Sequence, residues 1–220
     1  MNKLNQLILS FDFEQNFRNL DFYVSKSNVH VFNLIYDWSK NKEKFLNIAG
    51  EKFSGKSHLI NIFLEKNKGL KINSKNLNEK FLQETKFYQN IILEDLTTSI
   101  DEKLFYTLIN IVDSENKYLI TTSETPIMKM NFSLSDLHSR SKIFFLTRIE
   151  SPDDDLIFAL ILKNLSDRQI SIDKKLIDYI IKRIDRSYSN ISDFIYKIDQ
   201  ISLKKKRSID FKIIKEALGD

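Results

Sequence analysis

FLNIAGEKFSGKS, residues 45–57, decides the reading of this chain. Its first part, FLNIA (45–49), is a short apolar run of the kind that forms a strand buried on both faces. Its second part, GEKFSGKS (50–57), matches Gly-x-x-x-x-Gly-Lys-[Ser/Thr]. The residues that follow, KSHLINIFLEKN, carry apolar positions at helical spacing. Strand, glycine loop and helix in that order are the context in which this pattern cradles phosphate. Gly50 and Gly55 let the backbone turn so that N–H groups face phosphate oxygens, and the helix N-terminus adds its positive dipole end. Lys56 can reach the β- and γ-phosphates, and Ser57 can ligate Mg2+. Ser54 lies within the loop and joins the candidate cofactor-binding set. The alternative is a chance glycine turn, but two of only four glycines fall at the two required places.

Working outward, FLNIA, LKIN (70–73), NIILED (90–95), YLITT (118–122) and KIFFLT (142–147) read as five buried strands. Between them lie KSHLINIFLEKN, SKNLNEKFLQ and DEKLFYTLINIVDSE, each with a helical apolar pattern. Continuous apolar strands alternating with helices predict an α/β fold with a parallel sheet covered on both faces. After Ser151-Pro152 the pattern is helical throughout, with Asp153, Ser171 or Asp173, and Ser189 as candidate caps. The boundary between the two styles falls near residue 151.

Composition limits the function. The chain has 220 residues, 42% hydrophobic and 29% charged, the balance of a globular protein. The absence of cysteine excludes disulfides and thiolate metal sites, and three histidines speak against a histidine-rich one. No apolar run approaches the roughly 18 residues of a membrane span. The N-terminus lacks the long apolar block of a secretory signal, so a cytoplasmic location is expected. The net charge of +4 is mild, and LKKKR (203–207) reads as a solvated helix end rather than a phosphate-binding patch.

Three further segments carry chemistry. NIILEDL would place Glu94 and Asp95 at the C-terminal edge of a strand, where ligands bind in open α/β sheets. One carboxylate could join a Mg2+ shell and the other could orient water. LITTSETP would bring Thr122, Ser123 and Glu124 to the same edge. In LSDLHSRSKIF, Arg140 follows a short helical stretch. It is either a surface arginine or one presented in trans to a neighbouring subunit's nucleotide.

Together these segments resemble the DnaA-related AAA+ proteins, and within them the short Hda-type regulators of the replication initiator, over nearly the whole chain. DFYVSKSNVHVFNLI (21–35) is similar to the family's segment around the adenine, which implies cofactor-binding roles for Phe22, Val24 and Asn28. GEKFSGKS matches the phosphate loop. IILED stands at the acidic strand end, with Glu94 where aspartate is usual. LITTSETP is similar to the first sensor, with Glu124 in place of aspartate. LSDLHSR resembles the segment that ends in the arginine finger, here Arg140. LSDRQISID resembles a lid segment. The second-sensor arginine is replaced by Ser192, with Arg186 close by in sequence.

The resemblance implies an AAA+ P-loop NTPase core with a five-stranded parallel sheet, followed by a small all-helical lid. The expected divisions are an N-terminal segment (1–20), a nucleotide-binding domain (21–150) and the lid (151–220). It implies ADP or ATP with Mg2+, and little intrinsic turnover because the second sensor is changed. The initiator's helix-turn-helix segment has no counterpart, so direct sequence-specific DNA binding is not expected. QLILSF (6–11) resembles the short peptide with which replication proteins bind the sliding clamp. Gln6 would make fixed hydrogen bonds, and Leu7, Leu9 and Phe11 would supply apolar contacts. The alternative is a strand or staple packed on the protein's own sheet. The reading implied is a regulator that stimulates hydrolysis by a DnaA-type initiator through Arg140, with the clamp as second partner and homo-oligomers possible. The runner-up is an active AAA+ ATPase that loads or remodels a replication protein, and a pure nucleic-acid binder ranks last.

Overall fold

The computed structural model describes residues 22–38 and 43–219. Strands β1 (Phe45–Ala49), β2 (Gly69–Asn73), β3 (Asn90–Leu96), β4 (Tyr118–Ser123) and β5 (Phe145–Arg148) form one sheet in the order β2-β3-β4-β1-β5. Every pairing is parallel. Helices α1 (Val29–Tyr36), α2 (Lys56–Lys66), α3 (Glu79–Glu84), α4 (Glu102–Ser114) and α5 (Ser135–Ser141) cover it. The chain continues as α6 (Asp154–Asp167), α7 (Lys174–Ile181), α8 (Tyr188–Lys205) and α9 (Phe211–Leu218).

The two-residue period of a strand explains why the apolar runs are continuous. Leu46 and Ile48 of β1 join Val31, Ile35, Leu59, Ile60 and Phe63 on the face covered by α1 and α2. Phe45 turns the other way, toward Phe105, Leu108, Leu137 and Phe144. The helices α6 to α9 close a separate core around Ile157, Ile161, Ile177, Ile180, Ile195, Ile198 and Ile214. Leu156 and Tyr188 instead pack with the α1–α2 layer, which ties this helical lid to the sheet domain.

Three sequence expectations are corrected in detail. SKNLNEKFLQ is not one helix, because the Asn73 and Asn78 side chains accept from Lys75 N and Phe81 N and cap two separate turns. KIFFLT starts its strand late, at Phe145, because the amides of Lys142, Ile143 and Phe144 still bond back to Ser139, Arg140 and Ser141. Asp153 and Asp173 cap α6 and α7, but α8 is capped by Ser187 rather than Ser189, which lies inside its first turn. LKKKR does close a helix, with Lys206 in the left-handed region just past the end of α8.

One polar side chain is buried in the middle of β1. Asn47 donates to Thr121 Oγ1 and Ser123 Oγ, each at 3.0 Å, and accepts from Ile127 N at 3.0 Å. It thereby joins β1 to β4 and to the turn after β4. Asn47→Leu roughly keeps the volume but removes the bonds to Thr121, Ser123 and Ile127 N, leaving Thr121 only its bond to Leu46 O. It is expected to cost about 2–4 kcal/mol in urea unfolding, and a loss below about 1 kcal/mol would show that the cluster carries no weight.

Candidate functional site

The turn after β1 sits in the interior of the sheet. Gly50 N donates to Ser123 O at 3.0 Å, which fixes the start of the loop against β4. A Cβ on Gly50 would lie 2.8 Å from Ser54 Oγ and 3.3 Å from Ile149 Cβ, so a side chain there would displace the Ser54 hydroxyl and crowd Ile149. Gly55 is required by conformation, with φ at +92°, and it opens α2 as its N-cap. Phe53, with φ at 65°, is a side-chain-bearing residue in the left-handed region beside it.

Lys56 is buried at 7% exposure and donates from Nζ to Gly50 O (2.7 Å) and Glu51 O (2.8 Å). Burial pulls its ammonium below the ordinary lysine range, and the charges of Glu124, Asp95 and Glu51 act against that shift. A buried cation under a ring of backbone amides at a helix start suits a polyphosphate. Ser57 is half-buried in the first turn of α2, and Ser54 Oγ is buried with no partner.

The two acidic residues of β3 have different surroundings. The β3–β4 register shifts between Leu93 and Leu96, and Asp95 sits in that bulge with φ at 53°. Its amide donates to Thr122 Oγ1 (3.0 Å), and its Oδ2 accepts from Asn73 Nδ2 (2.8 Å). Glu94 turns to Lys71, whose Nζ lies 3.3 Å from Oε2 and 3.0 Å from Asn61 Oδ1 on α2. The other oxygen, Glu94 Oε1, is buried without a partner. Ser123 is engaged with Asn47, so its hydroxyl serves the strand cluster.

A cavity of about 690 Å³ lies between the loop and the lid. Phe22, Asn28, Ser54, Gly55, His58, Leu156, Tyr188, Ile191 and Ser192 are among its walls. Phe22 approaches Gly55 so closely that a Cβ there would lie 3.1 Å from its Cε2, and it meets His58 edge-on with centroids 5.2 Å apart. Asn28 shapes the segment before α1: it accepts from Ser25 N (2.9 Å) and donates to Tyr23 O (3.0 Å). Ser27 N donates to Asp153 Oδ2 (3.1 Å), which anchors that segment to the start of the lid. Val24 is exposed and does not line the cavity.

Two contacts between loop and lid have no forewarning in the motif. Glu51 accepts from Ser187 Oγ, from Tyr188 N (2.9 Å) and from Ser189 N (3.1 Å), at the start of α8. Burial raises its carboxyl pKa, but these hydrogen bonds outweigh burial and hold it below the usual range. Tyr188 is buried and donates from its hydroxyl to Glu150 O (3.1 Å). Burial pushes its phenol up to about 12, so it remains a donor. The only sequence signal was a charged residue at a position the motif leaves free.

Arg140 belongs to the other end of the sheet. It lies within α5, one short turn before β5, and its NH1 is 3.2 Å from Asp113 Oδ2 near the end of α4. Lys44, just before β1, lies 3.5 Å from Asp113 Oδ1. These three residues gather where strands begin, whereas the glycine loop leaves β1 where it ends. Five residues of strand separate the two ends, roughly 16 Å at the usual rise. The structure thus brings Gly50, Ser54, Gly55, Lys56, Ser57, Phe22 and Asn28 around one loop and cavity, places Asp95 and Thr122 together at the neighbouring strand ends, and sets Arg140 apart. Gln6, Leu7, Leu9 and Phe11 lie outside the described residues.

A five-stranded parallel sheet with this loop after a central strand and a helical lid beyond it is the AAA+ fold. The sequence is similar to chromosomal replication initiator proteins DnaA. It is 25% identical over 235 residues to DnaA of Buchnera aphidicola subsp. Baizongia pistaciae, covering 94% of this chain and 51% of that protein. It is 25% identical over 142 residues to DnaA of Chlorobaculum tepidum, covering 61% of this chain and 29% of that one. The chain thus spans about half the length, or less, of the curated relatives it matches. Domain III of Thermotoga maritima DnaA superposes with a TM-score of 0.77 at 16% identity, covering 94% of this chain and 97% of that one. A DnaA structure bound to AMPPCP and single-stranded DNA gives 0.64 at 17% identity, over 85% and 67% of the two chains. A Thermotoga maritima RuvB structure gives 0.68 at 13% identity, over 91% and 71%. No family model matches the chain.

Lys56→Ala removes the buried cation of the loop. Titration calorimetry with ADP is expected to show no measurable binding, with the fold retained by circular dichroism. Unchanged affinity would contradict the assignment of the loop to phosphate.

Proposed function

We propose that this chain is an adenine-nucleotide-binding regulator of replication initiation. It holds ADP or ATP in the cavity between loop and lid, and it stimulates ATP hydrolysis by a DnaA-type initiator by lending Arg140 to the initiator's site. The observation that carries this reading is the position of Arg140. It is partly exposed, at the sheet end opposite its own phosphate loop, where it could complete a neighbour's site and not its own. The relation to DnaA supports a partner of that class. Docking on the sliding clamp through Gln6, Leu7, Leu9 and Phe11 belongs to the same proposal and rests on the sequence of that segment.

The geometry supports the following roles at the chain's own site. The loop amides and Lys56 would hold the phosphates. Phe22, Leu156 and Ile191 would offer apolar surface to the base, with Asn28 shaping the segment that passes it. Glu94 Oε1, buried without a partner, and Ser57 at the start of α2 fit a hard cation such as Mg2+. When bound, Mg2+ would neutralise phosphate charge. Asp95 and Thr122, joined by a hydrogen bond at the same edge, could place water. That pair, together with Glu124 near Lys56, favours a second reading in which the chain is itself an active ATPase.

Arg140 separates the two readings. An arginine finger contributes on the order of 10³-fold or more to rate. Arg140→Ala is expected to leave ADP affinity intact and to abolish the stimulation of single-turnover hydrolysis on the initiator, with clamp and DNA present. Arg140→Lys is expected to fail nearly as badly, since lysine lacks the planar fork that spans two oxygens. Equal stimulation by wild type and both variants would overturn the proposal, and loss of the chain's own ADP by the alanine variant would move Arg140 to a homo-oligomeric site.

A further inference from the structure

A lid can follow the state of a bound nucleotide when a cation on it reaches the terminal phosphate. The arginines of this lid are occupied elsewhere. Arg168 Nε lies 3.4 Å from Asp199, Arg183 stacks 3.7 Å from the centroid of Tyr179, and Arg186 lies 2.6 Å from Asp154. Arg207 pairs with Asp210. None of the four lines the cavity, whose α8 wall offers Ile191, Ser192 and Ile195 beside Tyr188; the lid cation on its wall is Lys163 of α6.

The lid is nonetheless joined to the phosphate loop, by the loop's own acidic residue. Glu51 stands between Gly50 and Lys52 and spans 136 to 138 residues of sequence to reach the first turn of α8. Its two oxygens take the Ser187 hydroxyl and the amides of Tyr188 and Ser189, which are donors that a helix start leaves open. The carboxylate also faces the positive end of the α8 dipole. Tyr188, the middle residue of this contact, is buried against the α1–α2 layer and bonded to Glu150 O, so the attachment has an apolar root.

We propose that Glu51 latches the lid to the phosphate loop, so that the lid's position does not depend on a third phosphate and the site takes nucleoside diphosphates and triphosphates alike. This rests on the reading of the cavity as a nucleotide site. All partners of the latch belong to the chain itself. The device suits a protein whose working residue, Arg140, is at the far end of the sheet: the surface offered to a partner stays the same whether ADP or ATP is held.

The test compares wild type, Glu51→Gln and Glu51→Ala in the full chain, with ADP and AMPPCP as probes. Both variants remove the same charge from beside the phosphates. Glutamine keeps an acceptor that reaches α8 and alanine does not, so the difference between the variants reports the latch and not the charge. Wild type is expected to bind ADP and AMPPCP within about threefold of each other. Glu51→Ala is expected to bind both more weakly than Glu51→Gln by roughly fivefold to tenfold, the scale of one lost helix cap, with the ADP to AMPPCP ratio unchanged. Hydrogen exchange without nucleotide is expected to show faster exchange at the first turn of α8 in Glu51→Ala alone. Equal affinities and equal exchange in the two variants would overturn the latch. A wild-type preference for AMPPCP above about tenfold would overturn the indifference to the third phosphate, and would point to a lid cation such as Lys163 as its reader. Absence of binding by either probe would overturn the nucleotide reading and the specificity drawn from it, while the exchange experiment would still decide the latch.

Discussion

The passage of the chain from β1 into α2 is the constraint on which the rest of the molecule depends. β1 lies between β4 and β5, so its end is interior and the turn that follows has little room. Gly50 packs closely against Ser54 and Ile149, and Gly55 adopts a backbone conformation that side chains avoid. Once that turn is made, Lys56 is buried under the loop and its ammonium is held by loop carbonyls. The loop then serves as a platform for both neighbours. Phe22 packs over it from the segment before α1, and Glu51 extends from it to the lid. A short glycine turn thus positions the cavity, its aromatic wall and its cover.

The two ends of the sheet carry different chemistry. At the C-terminal end, Lys56 sits among the charges of Glu124, Asp95 and Glu51, which favour its charged form against burial. At the N-terminal end, Asp113 stands between Lys44 and Arg140 and neutralises a partly exposed arginine. Exposed pairs of this kind contribute little to stability, about 0–1 kcal/mol. In the proposed role Arg140 would exchange Asp113, which it meets through NH1, for a stronger anion.

The fold was legible because each strand reads as a short apolar run between helical patterns, and the glycine loop fixes the order of strand, turn and helix. β1 falls at FLNIA residue for residue. The errors came from capping. Asn73 and Asn78 split a segment that periodicity joins, and Ser187 rather than Ser189 starts α8 because Ser187 Oγ is the one that accepts from Asn190 N. The site was legible where chemistry is local, as at Gly50, Gly55 and Lys56. It was not legible where side chains meet from distant positions. Asn47 reads as one polar residue in an apolar strand, yet it ties β1 to β4. Glu51 reads as a free loop position, yet it caps a lid helix more than a hundred residues away. The divergence of Glu94 from Asp95 depends on a bulge that no strand pattern encodes.

The central claim is a direction: this chain supplies the arginine and a partner supplies the ATP that is cleaved. Labelled ATP can be loaded on one protein at a time, first on the DnaA-type initiator and then on this chain, and followed through a single turnover after mixing with clamp and DNA. Faster loss of label from the initiator, with label on this chain turning over at its unmixed rate, is the expected result. Acceleration on this chain with none on the initiator would contradict the assignment and establish the chain as the ATPase.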